Sequence, residues 1–212
     1  MSDFIRQVFA GKTIGRILFN RQAALRCKDL KGEVLDAAGG GGGSYLRYIP
    51  NDAAVTRVDA KGGPGVDKVI DLNKKLPFVD RSFDAILFFN AIYIIRDRKQ
   101  LFQEFRRILK DAGALFLSSS FIYNEMPEPH DYCRLTKEGL EEELHSAGFA
   151  DVSVWRYGER FTAAASLLSP FFVFNTIRLF AYSLAVLADR CIPGSLKERH
   201  PAPLGYFSIA RK

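Results

Sequence analysis

From residue 33 to residue 157, apolar residues change repeatedly between two spacings, and this change predicts alternating strands and helices. Short apolar runs bounded by turn residues are typical of buried strands, and apolar residues three or four apart are typical of helix faces. The pattern predicts strands at Val34–Ala37, Ala54–Asp59, Val66–Leu72, Phe83–Ile92, Ala114–Phe121 and Asp151–Tyr157, with a last strand at Gly205–Arg211. It predicts helices at Ser44–Ile49, Asp97–Leu109 and Thr136–Ala147. Repeats of these lengths imply parallel pairing with right-handed crossovers, so the expected fold class is a doubly wound α/β sheet.

Two segments outside this alternation are also expected to be helical. Residues 4–26 place apolar side chains at helical spacing, which predicts one or two amphipathic helices that cover the sheet or lie on a membrane surface. Residues 161–188 are nearly all apolar and long enough for a membrane span, but Pro170, Asn175 and Arg178 interrupt them. We therefore expect two helices there, forming a cap over the fold or a hairpin at a membrane surface.

The net charge of +6 is distributed unevenly along the chain. Residues 1–31 carry seven basic and two acidic residues, and residues 151–212 carry eight and four. The part between them has fifteen basic and eighteen acidic residues, which argues against a nucleic-acid groove there. The basic ends are compatible with an anionic membrane surface or a phosphate-bearing partner, although solvated faces are the commoner explanation.

The three cysteines, Cys27, Cys133 and Cys191, are too widely spaced for a disulfide framework or a zinc site. They fit a reducing compartment. Because the N-terminus is charged early by Asp3 and Arg6, we expect no signal peptide. The expected location is the cytoplasm, and membrane association is left open by the apolar segment.

Five consecutive glycines, Gly39–Gly43, follow the first predicted strand directly. Glycine tolerates positive φ angles and lets a ligand approach the bare backbone. A strand, a glycine-rich turn and a helix start form the nucleotide site of doubly wound folds. A flexible linker is the alternative, but the adjoining apolar strand and the Tyr45–Ile49 segment that follows the run disfavour it.

Polar residues stand at the carboxyl ends of the next strands, where such folds bind their ligands. Asp59 ends the second strand, seventeen residues after Gly42, where a carboxylate can accept both hydroxyls of a ribose. Asp71 and Leu72 end the third strand, and a carboxylate beside an apolar side chain suits the edge and face of an adenine. Asn90 lies near the end of the fourth strand. An ordinary strand-end or turn aspartate is the alternative for Asp59 and for Asp71.

Several stretches resemble the class I S-adenosylmethionine-dependent methyltransferases, in particular the type 11 group. Val34–Gly42 is similar to the V-L-D-x-G-x-G-x-G run of that family, with Ala38 in place of the first glycine. Leu76–Asp84 resembles its L-P-F-x-D-x-S-F-D stretch, and Phe105–Gly113 resembles the helix and turn before its fifth strand. Glu128–Leu140 resembles a segment of a bacterial subset. The order and spacing of these motifs are more specific than any one of them.

The resemblance covers roughly residues 33–157 and the final strand. It implies a Rossmann-like, seven-stranded, mostly parallel sheet with an antiparallel final strand and an apolar helical insert before it. The implied layout is an N-terminal amphipathic helical segment at 1–31 and a methyltransferase domain at 32–212, with the insert at 159–204.

The implied activity is transfer of a methyl group from S-adenosylmethionine to an unidentified small or lipid-linked acceptor. The implied cofactor-binding residues are Asp36, Ala38, Gly40, Gly42 and Asn90 for the methionine part, Asp59 for the ribose, and Asp71 and Leu72 for the adenine. No metal is expected to take part.

Methyl transfer to an oxygen nucleophile usually also needs a general base. His130 is the candidate, because an imidazole has an ordinary pKa near neutrality, and its alternative roles are to position the substrate or to support the local structure. Arg134 is the candidate for binding an anionic group of the acceptor, or it pairs locally with an acid such as Asp131 or Glu138.

Two other classes of function compete with this interpretation. A nicotinamide-dependent oxidoreductase shares the strand–glycine–helix opening, but its third fingerprint position requires Gly or Ala and holds Ser44 or Tyr45 here. A non-catalytic cofactor-binding or membrane-associated scaffold remains open. It is favoured by Ala38 and by the absence of the histidine that the family often carries shortly after the position of Asn90.

Overall fold

The computed structural model describes residues 2–40 and 42–212; Gly41, in the middle of the glycine run, lies outside that range. Seven strands form one sheet in the order β3-β2-β1-β4-β5-β7-β6. Their bounds are β1 Gly32–Ala37, β2 Ala53–Asp59, β3 Lys68–Val69, β4 Phe83–Phe89, β5 Leu109–Ser120, β6 Asp151–Tyr157 and β7 Gly205–Arg211. Strands β1 to β5 pair in parallel, and β7 runs antiparallel to both β5 and β6. The doubly wound, mostly parallel sheet with an antiparallel final strand is therefore confirmed.

Successive residues of the central strands enter two separate cores. In β1, Val34 packs into one cluster and Leu35 into the other. In β4, Leu87 and Phe88 are divided in the same way, and all four side chains are fully buried. Because side chains alternate across a strand, apolar residues at consecutive positions require helices on both faces of the sheet.

The helices cover the two faces unequally. Their bounds are α1 Asp3–Phe9, α2 Ile14–Arg26, α3 Arg98–Ile108, α4 Lys137–Ser146, α5 Arg160–Leu167, α6 Asn175–Cys191 and α7 Gly194–Arg199. One face is covered by α3 and α4, which begin after the N-cap side chains of Asp97 and Thr136. The other face is covered by α2 with α1, α5 and α6.

The predicted helix at Ser44–Ile49 is wrong. A three-residue 3₁₀ turn, Leu46–Tyr48, stands there instead. Two features shorten it: the Tyr45 side chain is buried against the glycine run, and Pro50 disfavours a helical conformation at the residue before it. The chain then enters β2 at Ala53 without a crossover helix.

Three strand predictions need new bounds. The third strand covers only Lys68–Val69 of the predicted Val66–Leu72, because the Asp71 carboxylate accepts a hydrogen bond from the Asn73 amide and turns the chain. The fourth ends at Phe89, since Asn90 has a left-handed φ of 52°. The fifth starts early, at Leu109, because the residues after α3 form a bulge against β4 rather than a turn.

The sequence predicted one or two helices at residues 4–26, and the structure has two there, α1 and α2. The apolar segment also forms two helices, α5 and α6, joined by a 3₁₀ turn at Ser169–Phe171. No helix within residues 2–40 and 42–212 is both long enough and apolar enough to cross a bilayer.

Candidate cofactor site

The glycine run turns sharply after β1, and its positions have different reasons to be glycine. Ala38 and Gly40 both have positive φ angles, 65° and 59°. At Gly39 a Cβ would lie 2.2 Å from an oxygen of Asp36, and at Gly43 a Cβ would lie 2.3 Å from the ring of Tyr45. A Cβ at Gly42 would meet nothing within 4 Å. Two of the glycines therefore make room for the protein's own side chains, and the other described ones leave backbone open to the space above the loop.

Asp36 lies at the carboxyl end of β1 and is fully buried. The Tyr45 hydroxyl lies 2.7 Å and 2.9 Å from its two oxygens and donates to them. Burial raises the pKa of Asp36 from 3.8 to about 6, and the hydrogen bond from Tyr45 opposes that rise. The same burial, together with the neighbouring carboxylate, raises the pKa of Tyr45, so this phenol stays a donor. Asp36 is thus a carboxylate with little solvation, suited to interact with a cationic group.

Asp59 ends β2 directly across from the glycine run. Its Oδ2 accepts a hydrogen bond of 3.0 Å from the Gly40 amide, and its Oδ1 accepts one of 3.0 Å from the Lys61 amide. The side chain is half-buried. Each carboxylate oxygen has a further lone pair, so Asp59 can still accept hydrogen bonds from a ligand. The sequence prediction that Asp59 lies beside the glycine loop therefore agrees with the geometry.

Asp71 and Leu72 follow β3 at the same edge of the sheet. Asp71 is exposed and accepts hydrogen bonds from the Asn73 amide and side chain, which hold its pKa below the usual value. Leu72 is buried in the core with Val58 and Ala91. Asp71 is therefore an ionised hydrogen-bond acceptor at the surface, while Leu72 is part of the hydrophobic core beneath it.

Asn90 follows β4 and is held by its neighbour β5. Its amide donates to the Ser118 carbonyl and hydroxyl, and the Ser120 hydroxyl donates to its side-chain oxygen over 3.5 Å. Its left-handed backbone aims the side chain into a cavity at the strand ends. Asparagine is one of the few residues that adopt this conformation at low cost.

Three cavities lie along this carboxyl edge. We name them by their linings. The loop cavity, about 280 Å³, is lined by Lys12, Arg16, Ala38, Gly39, Gly40, Gly42, Gly43, Ser44, Tyr45 and Phe89. The inner cavity, about 130 Å³, is lined by residues that include Arg16, Asn90, Tyr93, Ser120, Tyr123 and Tyr157. The outer cavity, about 610 Å³, is lined by Asn73, Ile94, Arg96, Asp97, His130 and Tyr132. Arg16 lies in the walls of both the loop cavity and the inner cavity.

Two cations of this edge, Lys12 and Arg16, were missed by sequence reasoning. They precede β1 and appear in the sequence only as polar positions on an amphipathic helix. Thr13 caps α2 by accepting a hydrogen bond from the Arg16 amide, which fixes where the helix starts beside the glycine run. The sequence contains no signal for this placement, because it depends on how α2 packs across the sheet.

The residues proposed for the acceptor lie apart from the inner cavity. His130 is exposed and stacks on Tyr132, with ring centroids 5.2 Å apart. Arg134 forms an ion pair with Asp131, and this contact lowers the pKa of that carboxyl. The local pairing of Arg134, one of the two alternatives that the sequence left open, is therefore the arrangement in the structure, and Arg134 also lies over the Tyr93 ring.

Residues 35–117 match a family model described as a methyltransferase domain. The match contains the end of β1, the glycine run, β2, β3, β4 and most of β5, and every cofactor-binding candidate that the sequence predicted lies within it. No curated protein matches the chain.

Solved structures with the same fold cover nearly the whole chain. A S-adenosylmethionine-dependent methyltransferase from Archaeoglobus fulgidus is 18% identical, with a TM-score of 0.60 over 93% of this chain and 94% of the other. The phosphoethanolamine N-methyltransferase 2 of Haemonchus contortus, bound to phosphomonomethylethanolamine and S-adenosylhomocysteine, is 20% identical, with a TM-score of 0.61 over 92% of this chain. The present chain spans about half of that protein, 52%. The 4+2 cyclase SpnF is 19% identical, with a TM-score of 0.57 over 92% of this chain and 80% of the other.

The sheet order and the polar residues at the strand ends define a Rossmann-like domain with a glycine run at the carboxyl edge of its sheet. The methyltransferase-domain match over residues 35–117 and the fold shared with these solved structures make the chain similar to the class I S-adenosylmethionine-dependent methyltransferases. The cyclase shows that one fold hosts more than one reaction, so the acceptor and the chemistry at it have to be argued from the site.

The residues at the loop cavity fit S-adenosylmethionine, the cofactor named for solved methyltransferases that share this fold. The cofactor carries a carboxylate, an ammonium group, a sulfonium and a ribose diol. The cavity offers two cations, Lys12 and Arg16, in its lining. The carboxylate of Asp59 lies next to the lining, where it accepts a hydrogen bond from the Gly40 amide, and Asp36 is fully buried behind Tyr45. The open position at Gly42 leaves space for a ligand against the backbone.

Proposed function

We propose that the protein transfers a methyl group to a small or lipid-linked acceptor at the cytoplasmic surface of a membrane. The observation that carries the proposal is the junction of the two cavities: Arg16 lies in the walls of both the loop cavity, beside Gly40, and the inner cavity, beside Asn90. A donor in the first and an acceptor in the second would meet at this junction.

S-adenosylmethionine supplies a methyl group that is already activated on a sulfonium. In our proposal, Asp59 accepts the ribose hydroxyls, and Asp71 with Leu72 contacts the adenine. Asp36, Ala38, Gly40, Gly42 and Asn90 hold the methionine part. Lys12 and Arg16 are added as partners of its carboxylate, because they are the cations of the loop cavity. The contribution of these residues is to fix the position and direction of the reacting groups, which supplies much of the rate enhancement in such reactions.

The inner cavity is proposed as the place of the acceptor atom. Its volume, about 130 Å³, accommodates a small group rather than a whole large substrate, so the rest of the acceptor would extend outwards. Tyr93, Tyr123 and Tyr157 line it, and burial raises the pKa of Tyr93 and Tyr157. Neutral phenols of this kind can orient the acceptor by hydrogen bonds.

His130 is proposed to position the acceptor from the outer cavity rather than to act as its base. Its exposed ring lines the outer cavity beside Asn73 and Asp97, whereas Asn90 lines the inner one. Arg134 is already paired with Asp131. In this proposal it supports the wall of the outer cavity and contacts an anionic group of the acceptor only at the edge of that cavity.

A lipid-linked acceptor and membrane contact are supported by the outer surface of the apolar insert. Phe171, Val173, Phe174 and Phe180 are between 66% and 77% exposed. Leu168, Ile177, Leu184 and Leu187 continue the same surface. Contiguous exposed apolar patches mark sites of protein or membrane interaction in soluble domains. We name these eight residues the apolar face.

The proposed activity is tested with methyl-labelled S-adenosylmethionine and cell extract separated into aqueous and lipid fractions. We expect a labelled product from the wild type, and its loss in the Asp59→Ala variant, which lacks the proposed ribose partner. Asp52→Ala, which removes an exposed acid before β2, serves as the matched control and should retain activity. No labelled product from either fraction would contradict the proposed transfer.

Membrane contact is tested separately by flotation with vesicles that contain anionic phospholipid. The wild type should float, and Phe171→Asp/Phe174→Asp should stay at the bottom of the gradient. Val79→Asp changes an apolar side chain of similar exposure outside the insert and should float like the wild type. If the wild type does not float, or if the double variant floats equally well, the proposed contact is wrong.

A further inference from the structure

A second concave surface lies between three helices, away from the residues that line the loop and inner cavities. This helix groove has a volume of about 550 Å³ and is formed by α1, α2 and α6 with Tyr48. Its walls are mostly apolar and include Phe4, Leu18, Val186 and Leu187. Ligand sites in proteins have volumes of about 300–1,000 Å³, so the groove is large enough to hold part of an organic molecule.

Two arginines, Arg21 of α2 and Arg190 of α6, stand at one end of the helix groove. Both also line a neighbouring cavity of about 240 Å³, as do Leu18 and Val186. The guanidinium groups of Arg21 and Arg190 make no ion pair or side-chain hydrogen bond with any residue in 2–40 or 42–212. Two arginines without partners at the end of an apolar groove are arranged to receive an anion.

The neighbouring cavity adds further positive charge. Arg156 and Lys197 line it as well. Its two carboxylates, Glu159 and Asp189, are already engaged. Glu159 accepts from Arg160 and from the Ala202 amide, and Asp189 accepts from the Thr162 hydroxyl and from backbone amides of α5. Arg156 contacts Glu198, so its charge is shared. Among the described residues, Arg21 and Arg190 at the shared boundary and Lys197 within the neighbouring cavity are the lining cations whose side chains have no ion pair or hydrogen bond.

The apolar walls of the groove continue into the apolar face. Leu187 belongs to both: it lines the groove, and it is 55% exposed. Leu184, one turn earlier on α6, is exposed to a similar degree. A ligand with an apolar tail would therefore find an unbroken apolar path from the outer surface to the two arginines.

We propose that the helix groove binds one anionic phospholipid, with an acyl chain along the apolar walls and the phosphate at Arg21 and Arg190. The charge of the arginine pair selects an anion, and the apolar walls select a lipid over a free phosphate. Arg is well suited to this role because its planar fork binds phosphate oxygens through two hydrogen bonds. The proposal does not depend on the reaction proposed above, since the groove lies outside the cofactor and acceptor cavities.

Calorimetric titration with dihexanoyl phosphatidylglycerol below its micellar concentration tests the proposal. Dihexanoyl phosphatidylcholine and glycerol phosphate are titrated alongside to separate the contributions of charge and chain. We expect the anionic lipid to bind at least tenfold more tightly than either. The Arg21→Gln/Arg190→Gln variant should lose that preference, and Lys28→Gln/Lys99→Gln, which removes the same charge from exposed sites elsewhere, should keep it.

A variant that blocks the groove without changing charge gives a second measurement. Ala24 lines the groove and is half-buried, so Ala24→Trp should fill it and abolish binding of the short-chain lipid. Binding of glycerol phosphate as tight as that of the lipid would identify a site for soluble anions and overturn the proposal. So would vesicle binding without any binding of the short-chain lipid, because the attraction would then lie on the apolar face alone.

Discussion

Ala38 holds a left-handed backbone conformation at the position where the related motif has glycine. For a residue with a Cβ this conformation costs about 1–2 kcal/mol. Glycine avoids that cost but loses about 0.4–1 kcal/mol through the greater freedom of its unfolded chain. We therefore predict that Ala38→Gly raises the free energy of unfolding by about 0.5–1 kcal/mol, as measured by urea denaturation.

Ala37→Gly is the control for that change. Ala37 lies in β1 with an ordinary strand conformation and is fully buried, so glycine there should lower stability by about 1 kcal/mol. If Ala38→Gly is as destabilising as Ala37→Gly, the left-handed conformation of Ala38 is not strained.

The pKa of Asp36 predicts how stability depends on pH. Burial raises this pKa to about 6, above its unfolded value, so the folded state holds a proton more tightly than the unfolded state. The contribution of Asp36 to stability therefore falls as the pH rises from about 4 to about 6, by up to roughly 3 kcal/mol, and is constant above that window. Asp36→Asn should lack this dependence, so its stability relative to the wild type should increase across the window.

Urea unfolding of the two proteins at pH 4.5, 5.5, 6.5 and 7.5 measures this difference. A difference that is the same at every pH would show that Asp36 has an ordinary pKa in the folded protein.

At the scale of residues, the sequence predicted those site positions that follow a strand. Asp36, Asp59 and Asn90 could be placed because each ends or follows an apolar strand, and parallel strands bring their carboxyl ends to one edge. Tyr45 could not be placed, because its contact with Asp36 depends on a 3₁₀ turn in a stretch whose pattern favours a helix. Arg16 depends on the packing of α2 across the sheet, which periodicity does not determine.

At the scale of elements, a buried carboxylate joins the two helices of the apolar insert. Asp189 of α6 accepts hydrogen bonds from the Phe161 and Thr162 amides and from the Thr162 hydroxyl, at distances of 2.6 to 3.1 Å. These amides belong to the first turn of α5, where the helix dipole also favours a negative charge. The contact fixes the angle at which α6 leaves α5, and with it the direction of the apolar face.

We predict that Asp189→Ala lowers the free energy of unfolding by about 2–4 kcal/mol, because hydrogen bonds to a charged acceptor are lost and buried donors remain unpaired. The amides of Phe161 and Thr162 should exchange faster with solvent in the variant. Leu184→Ala on the exposed side of the same helix should change stability by no more than about 0.5 kcal/mol. Equal effects of the two substitutions would contradict the role assigned to Asp189.

The helices and strands with strong patterns were predicted within one or two residues. For β6 and β7 the bounds agree fully, because apolar residues alternate and turn residues flank them. The helix at Ser44–Ile49 failed because its six residues follow five glycines and precede Pro50, too short a stretch to propagate a helix. The third strand is shorter than predicted, because only two of its residues pair with β2.

At the scale of the whole molecule, the two faces of the sheet are covered in different ways. The helices on one face, α3 and α4, come after β4 and β5 in the chain. No α-helix follows β1 or β2 among the described residues, so α2 from the N-terminal part and the α5–α6 pair from the C-terminal insert cover the other face instead. This arrangement places Lys12 and Arg16 in the lining of the loop cavity and leaves the apolar face exposed. The sequence indicated both segments, but not that they pack against each other, since that depends on contacts such as those of Asn175 with Phe9 and Arg178 with Gly11, which are 166 and 167 positions apart.

The central claim is that the loop cavity binds S-adenosylmethionine through Gly40 and Asp59. Calorimetric titration of the wild type, Asp59→Ala and the control Asp52→Ala at pH 7.5 measures it directly. We predict that Asp59→Ala weakens binding at least tenfold, a loss of about 1.4 kcal/mol, while Asp52→Ala binds like the wild type. No binding of S-adenosylmethionine by the wild type, or equal binding by all three proteins, would contradict the central claim.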